Sequence, residues 1–200
     1  MTRLGILISG RGSNFEAIAF KITARKLDAR IAVVISNRAD ARGLEKAKAH
    51  GIPAVCIPSK GVPREEYDLR VAAELKRYEV DLVCLAGYMR LLTPAFIREF
   101  PMRVLNIHPS LLPSFPGLDA QEQALKHGVK VSGCTVHFVD EDLDAGPIIL
   151  QASVDALDND TADTLAARIL REEHRIYSEA IALVASGKYR VIGRRVIRTD

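Results

Sequence analysis

The segment Leu105-Asn106-Ile107-His108-Pro109 sets an amide and an imidazole two residues apart at the end of an apolar run. In a strand, alternation sends Asn106 and His108 to one face of the sheet and Leu105 and Ile107 to the other. An amide beside an imidazole can stabilise a developing oxyanion and shuttle a proton. The same spacing also suits a hydrogen-bonded core pair. The stretch that follows favours chemistry, because Pro109, Pro113, Pro116 and Gly117 forbid a regular element over 109–118, and proline-stiffened ordered loops are usually functional.

Asp140, Glu141, Asp142 and Asp144 crowd four acids into five residues ahead of Ala145-Gly146-Pro147. The pattern suits a solvated turn or a cation loop, but it lacks EF-hand spacing, and the Gly-Pro that follows does not fit one. One of these acids held against His108 would favour the imidazolium and orient it. The residue types alone leave open which acid does so.

Ser9-Gly10-Arg11-Gly12-Ser13-Asn14 stands where a strand gives way to a helix. Glycines there let backbone N–H groups approach an anion, and the helix N-terminus adds positive partial charge, so the turn reads as a phosphate site. A tight turn that needs glycine only for its backbone angles is the plainer alternative. A dinucleotide fold fails on two counts. Phe15 replaces the third Gly of G-x-G-x-x-G, and the second strand ends in Ser36-Asn37-Arg38 rather than an acid.

The elements that must position these residues follow a βαβα rhythm. Residues 4–9 form a short apolar run, the mark of a parallel strand buried on both faces. Phe15, Ile18, Ala19 and Ile22 then recur at helical spacing. Strands are predicted near 31–36, 54–57, 82–86 and 103–107, with helices over 41–50, 64–78 (Tyr67, Val71 and Leu75 inward) and 94–100. The alternation implies a parallel sheet with right-handed crossovers. Further on, 131–139 and 148–154 read as a hairpin-like pair, 161–186 as a long helix capped by Asp160 or Thr161, and 189–197 as a hairpin turning at Gly193.

The chain has 200 residues, 48% hydrophobic, which is enough for one substantial core, and one domain is expected over 1–200. Its 28 Lys+Arg against 25 Asp+Glu give a balance of +3, too small to advertise a nucleic-acid surface. Cys56, Cys84 and Cys134 lie in apolar stretches and read as reduced, buried thiols. No segment has the form of a secretory leader or approaches the roughly 20 apolar residues of a membrane span. The expected address is the cytoplasm, with no membrane or nucleic-acid partner.

Taken together, residues 7–14 (LISGRGSN), 34–44 (VISNRADARGL), 82–92 (LVCLAGYMRLL), 104–117 (VLNIHPSLLPSFPG) and 136–151 (VHFVDEDLDAGPIILQ) resemble the phosphoribosylglycinamide formyltransferases, folate-dependent enzymes of purine synthesis. The N-x-H-P-S-L-L-P segment with a later D-x-G-P-I is shared with the wider formyltransferase superfamily, so it marks the reaction more firmly than the acceptor. The resemblance implies an α/β fold: a single-domain, mostly parallel seven-stranded sheet flanked by helices, Rossmann-like in its N-terminal half, with later strands adding an antiparallel edge.

The resemblance also implies roles. Asn106, His108 and Asp144 become the catalytic trio, with Asp144 chosen because it directly precedes Ala-Gly-Pro-Ile. Gly12, Ser13, Asn14 and Glu173 fall on the side of the phosphoribosylglycinamide acceptor. Arg64, Met89, Arg90, Leu91, Leu92, Asn106, Asp140 and Asp144 fall on the folate side. The co-substrate would be 10-formyltetrahydrofolate, with no metal and no covalent intermediate, in a monomer or homodimer acting on small molecules. Residues 118–121 and the short C-terminus depart from commoner family versions without touching the trio. The competing readings are a formyltransferase for methionyl-tRNA or for a nucleotide-sugar amine, and a catalytically silent nucleotide- or folate-binding regulator on the same sheet.

Overall fold

The apolar run at the N-terminus forms β1 (Thr2–Ile8), buried from Leu4 onward. The computed structural model describes all 200 residues, which gather into two compact units, Met1–Asn106 and Ile107–Asp200.

In the first unit, β1 is followed by α1 (Ser13–Thr23), β2 (Ala29–Ser36), α2 (Arg42–Ala49), β3 (Ala54–Cys56), α3 (Arg64–Arg77), β4 (Leu82–Leu85), α4 (Pro94–Glu99) and the start of β5 (Val104–His108). The strands lie in the order β3-β2-β1-β4-β5 and all pair in parallel. The near-continuous apolar runs of β1, β2 and β4 suit strands covered on both faces. Phe15 and Ile18 of α1, and Tyr67, Val71 and Leu75 of α3, are buried as their helical spacing requires. At Gly5 an added Cβ would lie 2.4 Å from Leu75 Cδ2 and 2.9 Å from Val80 Cγ2. The missing side chain is what lets α3 and the turn after it close onto β1.

The chain runs from β1 outward to β2 and β3, then returns to place β4 on the other side of β1. This reversal is a topological switch point. In open α/β sheets the loops leaving the carboxyl ends of the strands on either side of such a point are the usual ligand position. Those two loops are residues 9–12 and 86–92.

The second unit takes up the chain at the end of β5 and continues through α5 (Ala120–Lys126), β6 (Val131–Phe138), β7 (Ile148–Asp155), α6 (Ala162–Ser186), β8 (Tyr189–Ile192) and β9 (Arg195–Arg198). β6 and β7 are antiparallel, with Thr135 opposite Gln151; β9 joins β7 in parallel, and β8 pairs antiparallel with β9. Gly133 has no room for a side chain, since a Cβ there would sit 2.0 Å from the Ala152 carbonyl oxygen. Thr161 caps α6, accepting from the Thr164 N–H at 3.2 Å while its own N–H donates to Thr164 Oγ1 at 2.9 Å.

Three expectations need correction. The chain has nine strands rather than seven, the extra two being β8 and β9, which turn at Gly193 with φ 59°. Helix α5 falls between the predicted elements. It is only 7 residues long and opens at Asp119 without a side-chain cap, so the sequence carries little signal for it. Cys84 and Cys134 are buried, but Cys56 is exposed, because it ends the edge strand β3.

Candidate active site

The turn after β1 is built for close backbone approach. Gly12 holds φ +74°, the left-handed region that favours glycine, and stands at the N-cap of α1 with no side-chain cap. The first intrahelical bond runs from the Glu16 N–H to the Gly12 carbonyl at 3.0 Å. That leaves the leading N–H groups of α1 pointing out of the helix end, where its dipole favours an anion. An open depression of about 220 Å³ beside the turn is lined by Ser9, Gly10, Arg11, Arg38, Asp40 and Arg42.

The loop after β4 is held from three directions. The Ser9 N–H donates to the Gly87 carbonyl at 3.0 Å, and the Met89 N–H donates to Ser9 Oγ at 2.8 Å. Ser9 Oγ in turn donates to Asn37 Oδ1 at 2.6 Å. From α3, the Arg64 guanidinium donates to the carbonyls of Leu91 (2.7 and 2.9 Å) and Leu92 (3.3 Å), while the fully buried Asp68 accepts from the Thr93 N–H at 2.7 Å. The Arg90 guanidinium lies 4.5 Å over the Tyr67 ring. Met89 and Leu91 stay 67% and 54% exposed, so a tightly fastened backbone presents apolar side chains outward.

In the second unit, β5 ends in His108, only 5% exposed. Its Nε2 lies 2.8 Å from the Phe115 carbonyl oxygen, and its Nδ1 lies 3.4 Å from Asp144 Oδ2. Asp144 Oδ2 also accepts from the Gly117 N–H at 2.9 Å, and Oδ1 lies 3.7 Å from Nε2 of the buried His137. Asp144 therefore sits between two imidazoles and one backbone donor. Its φ of +49° is a left-handed value for a non-glycine residue, a strained backbone of the kind found at functional sites.

The loop 109–119 is held by a polar web. Thr135 Oγ1 donates to the Ser110 carbonyl at 2.7 Å and accepts from the Leu112 N–H at 3.0 Å. Gln151 Nε2 donates to the Leu112 carbonyl and to Thr135 Oγ1 at 2.9 and 3.0 Å. Ser110 Oγ reaches the carbonyls of Ser114 and Phe115 at 2.5 and 3.2 Å. The His137 ring Nδ1 lies 2.8 Å from the Phe138 carbonyl oxygen, which requires the proton on Nδ1. Burial pushes the His137 pKa below the usual imidazole value, outweighing the Phe138 carbonyl and Asp144, which act the other way.

The sequence profile of the formyl transferase family matches residues 2–181. The chain belongs to this family. It is 44% identical over 187 residues to the phosphoribosylglycinamide formyltransferase of Escherichia coli (strain K12), covering 93% of this chain and 88% of that protein. It is also 49% identical over 191 residues to the trifunctional purine biosynthetic protein adenosine-3 of Drosophila pseudoobscura pseudoobscura, and there it spans 94% of itself but only 14% of the relative's length. Among solved structures, glycinamide ribonucleotide transformylase 1 from Symbiobacterium toebii superposes with a TM-score of 0.98 at 55% identity, covering all of this chain and 95% of that one.

Within this formyl transferase, the acid picked out beside His108 is Asp144, while Asp140 accepts from the Asp142 N–H at 3.2 Å in the turn preceding it. Asn106 precedes His108 by two positions on β5 and is half-buried. Glu173 is only 8% exposed, on the inner face of α6. Arg64 ties down the loop that carries Met89–Leu92. Two contributors escape the sequence reading, His137 and Thr135. For His137 the signal was present, since Thr135 and His137 alternate along β6 just ahead of the acidic turn. Ser9 belongs to the turn read as a phosphate site, and the structure adds its bonds to Met89 and Asn37.

Proposed function

We propose that this chain is a phosphoribosylglycinamide formyltransferase, moving the formyl group of 10-formyltetrahydrofolate to the amine of 5'-phosphoribosylglycinamide in purine synthesis. The observation that carries the reading is His108 held between the Asp144 carboxylate and a loop carbonyl, with Asn106 ahead of it on the same strand. Family membership and the similarity to proteins of that name support it.

The acceptor's neutral amine attacks the formyl carbon, and the carbonyl electron pair moves onto oxygen. Asn106 donates to that oxyanion from its amide, and protonated His108 donates from its ring. The Phe115 carbonyl occupies an acceptor position on His108 Nε2, the position a developing oxyanion would take over. Asp144 orients the imidazole through Nδ1. The adduct collapses with return of the pair to carbon and cleavage of the bond to the folate nitrogen. That nitrogen takes up a proton as the attacking amine loses one. Holding both substrates together removes much of the entropic barrier.

For binding, Gly12, Ser13 and Asn14 receive the acceptor's phosphate at the N-terminus of α1, and Glu173 receives its ribose. The pterin lies along Met89, Arg90, Leu91 and Leu92, with Arg64 toward the glutamate end and Asp140 and Asp144 on the formyl side. The reaction needs no metal, and we place it among small molecules in the cytoplasm. Turnover of glycinamide ribonucleotide with 10-formyltetrahydrofolate by the purified chain tests the proposal. Absence of product, with formyl transfer to another amine or to water instead, would overturn it.

A further inference from the structure

Two glycines far apart in sequence meet behind the turn that follows β1. Gly43, the second residue of α2, donates its backbone N–H to the Gly10 carbonyl at 3.0 Å. This N–H belongs to the first turn of α2, where no intrahelical partner exists, so the helix end is satisfied by the turn and the turn is pinned by the helix. A Cβ built on Gly43 would lie 3.3 Å from the Gly10 oxygen, 3.3 Å from Gly12 Cα and 2.4 Å from Ile8 Cδ1. In the opposite direction, a Cβ on Gly12 would lie 3.0 Å from Gly43 Cα. The two backbones are in van der Waals contact because neither residue has a side chain.

We propose that Gly43 is a positioning residue for acceptor binding: it sets the backbone of residues 10–12, and through them the direction of the leading N–H groups of α1. The proposal rests on reading that turn as the acceptor's phosphate site. Any side chain at 43 crowds Gly12 Cα and the Gly10 carbonyl. The Ile8 contact is with the far end of a flexible side chain and yields by rotation, whereas the contacts with Gly12 and Gly10 are with backbone. A single methyl group at position 43 therefore moves the turn by a few tenths of an ångström, and close anion recognition by N–H groups is sensitive to shifts of that size.

The test is Gly43→Ala. Alanine in place of glycine near a helix start favours the helix, so a purely structural role predicts a change in thermal midpoint and nothing specific to one substrate. The positioning role predicts a KM for glycinamide ribonucleotide raised about ten-fold, with the KM for 10-formyltetrahydrofolate and the saturated turnover little changed, and a thermal midpoint at or above that of the parent. The double variant Ile8→Val with Gly43→Ala removes the Ile8 Cδ1 contact. A KM that stays high in it supports transmission through the turn, and a KM that recovers assigns the effect to core crowding and overturns the proposal.

Gly12→Val is measured alongside. If it raises the acceptor's KM while Gly43→Ala does not, the phosphate reading stands and the role of Gly43 falls. If neither variant changes that KM, the phosphate reading itself falls.

Discussion

Asp144 Oδ2 stands 3.4 Å from His108 Nδ1 while the opposite ring nitrogen faces the Phe115 carbonyl at 2.8 Å. Both nitrogens thus point at oxygen acceptors, and only the doubly protonated ring donates in both directions. Asp144→Asn keeps the shape and removes the charge. Turnover should fall by about 10²-fold or more, because the amide no longer offers His108 Nδ1 a charged acceptor. Combined with His108→Ala, the losses should be far from multiplicative, because the two residues act as one unit. Saturated turnover rates of both single variants and the double check this; fully multiplicative losses would mean that Asp144 works apart from His108.

Burial holds the His137 pKa below its ordinary value, so the fold prefers the neutral ring. A base whose folded value is depressed contributes stability that is present above its unfolded value, about 6.5, and is lost as pH falls through and below it. Between pH 7 and about 5 the parent should lose stability more steeply than His137→Asn, which retains a donor for the Phe138 carbonyl but does not titrate. Urea denaturation at a series of pH values gives the slopes. Parallel slopes would remove His137 from the account of acid sensitivity.

Arg64 spends its side chain on the carbonyls of Leu91 and Leu92. Arg64→Met should loosen that loop and raise the KM for the folate co-substrate about ten-fold, equivalent to ~1.4 kcal/mol, while the acceptor's KM stays near that of the parent. Steady-state kinetics with each substrate varied in turn separates the two. An equal rise for both substrates would argue that Arg64 supports the general fold instead.

Gly146 lies where an added Cβ would be 1.9 Å from the Phe138 carbonyl oxygen. Because that neighbour is backbone, Gly146→Ala must displace the segment that carries Asp144. Activity should drop to the level of the Asp144 variants, with a stability cost of about 1–3 kcal/mol. By contrast, Thr161→Ala removes the α6 cap and should cost about 1 kcal/mol with turnover intact. Chemical denaturation and activity measured on both variants distinguish local damage at the site from loss of a remote cap.

The sequence by itself determined the order and type of most elements. The apolar runs of β1, β2 and β4, the Tyr67/Val71/Leu75 stripe and a cap for α6 at Asp160 or Thr161 are local patterns, legible because backbone periodicity and end-capping depend on near neighbours. It pointed to a candidate site as well, since Asn106-x-His108 and the following prolines lie within a dozen residues of one another. What only the tertiary structure decided is which distant groups meet. Asp144 was distinguished from Asp140, Glu141 and Asp142 by residue types only through resemblance; in space it is the acid facing His108, because the antiparallel pairing of β6 and β7 and the turn at Gly146 bring it there. The same holds for Ser9 against Met89, Arg64 against Leu91, and Gly43 against Gly12. Each pair is joined by closure of the sheet over tens of residues, and no periodicity in the chain encodes contacts at that separation.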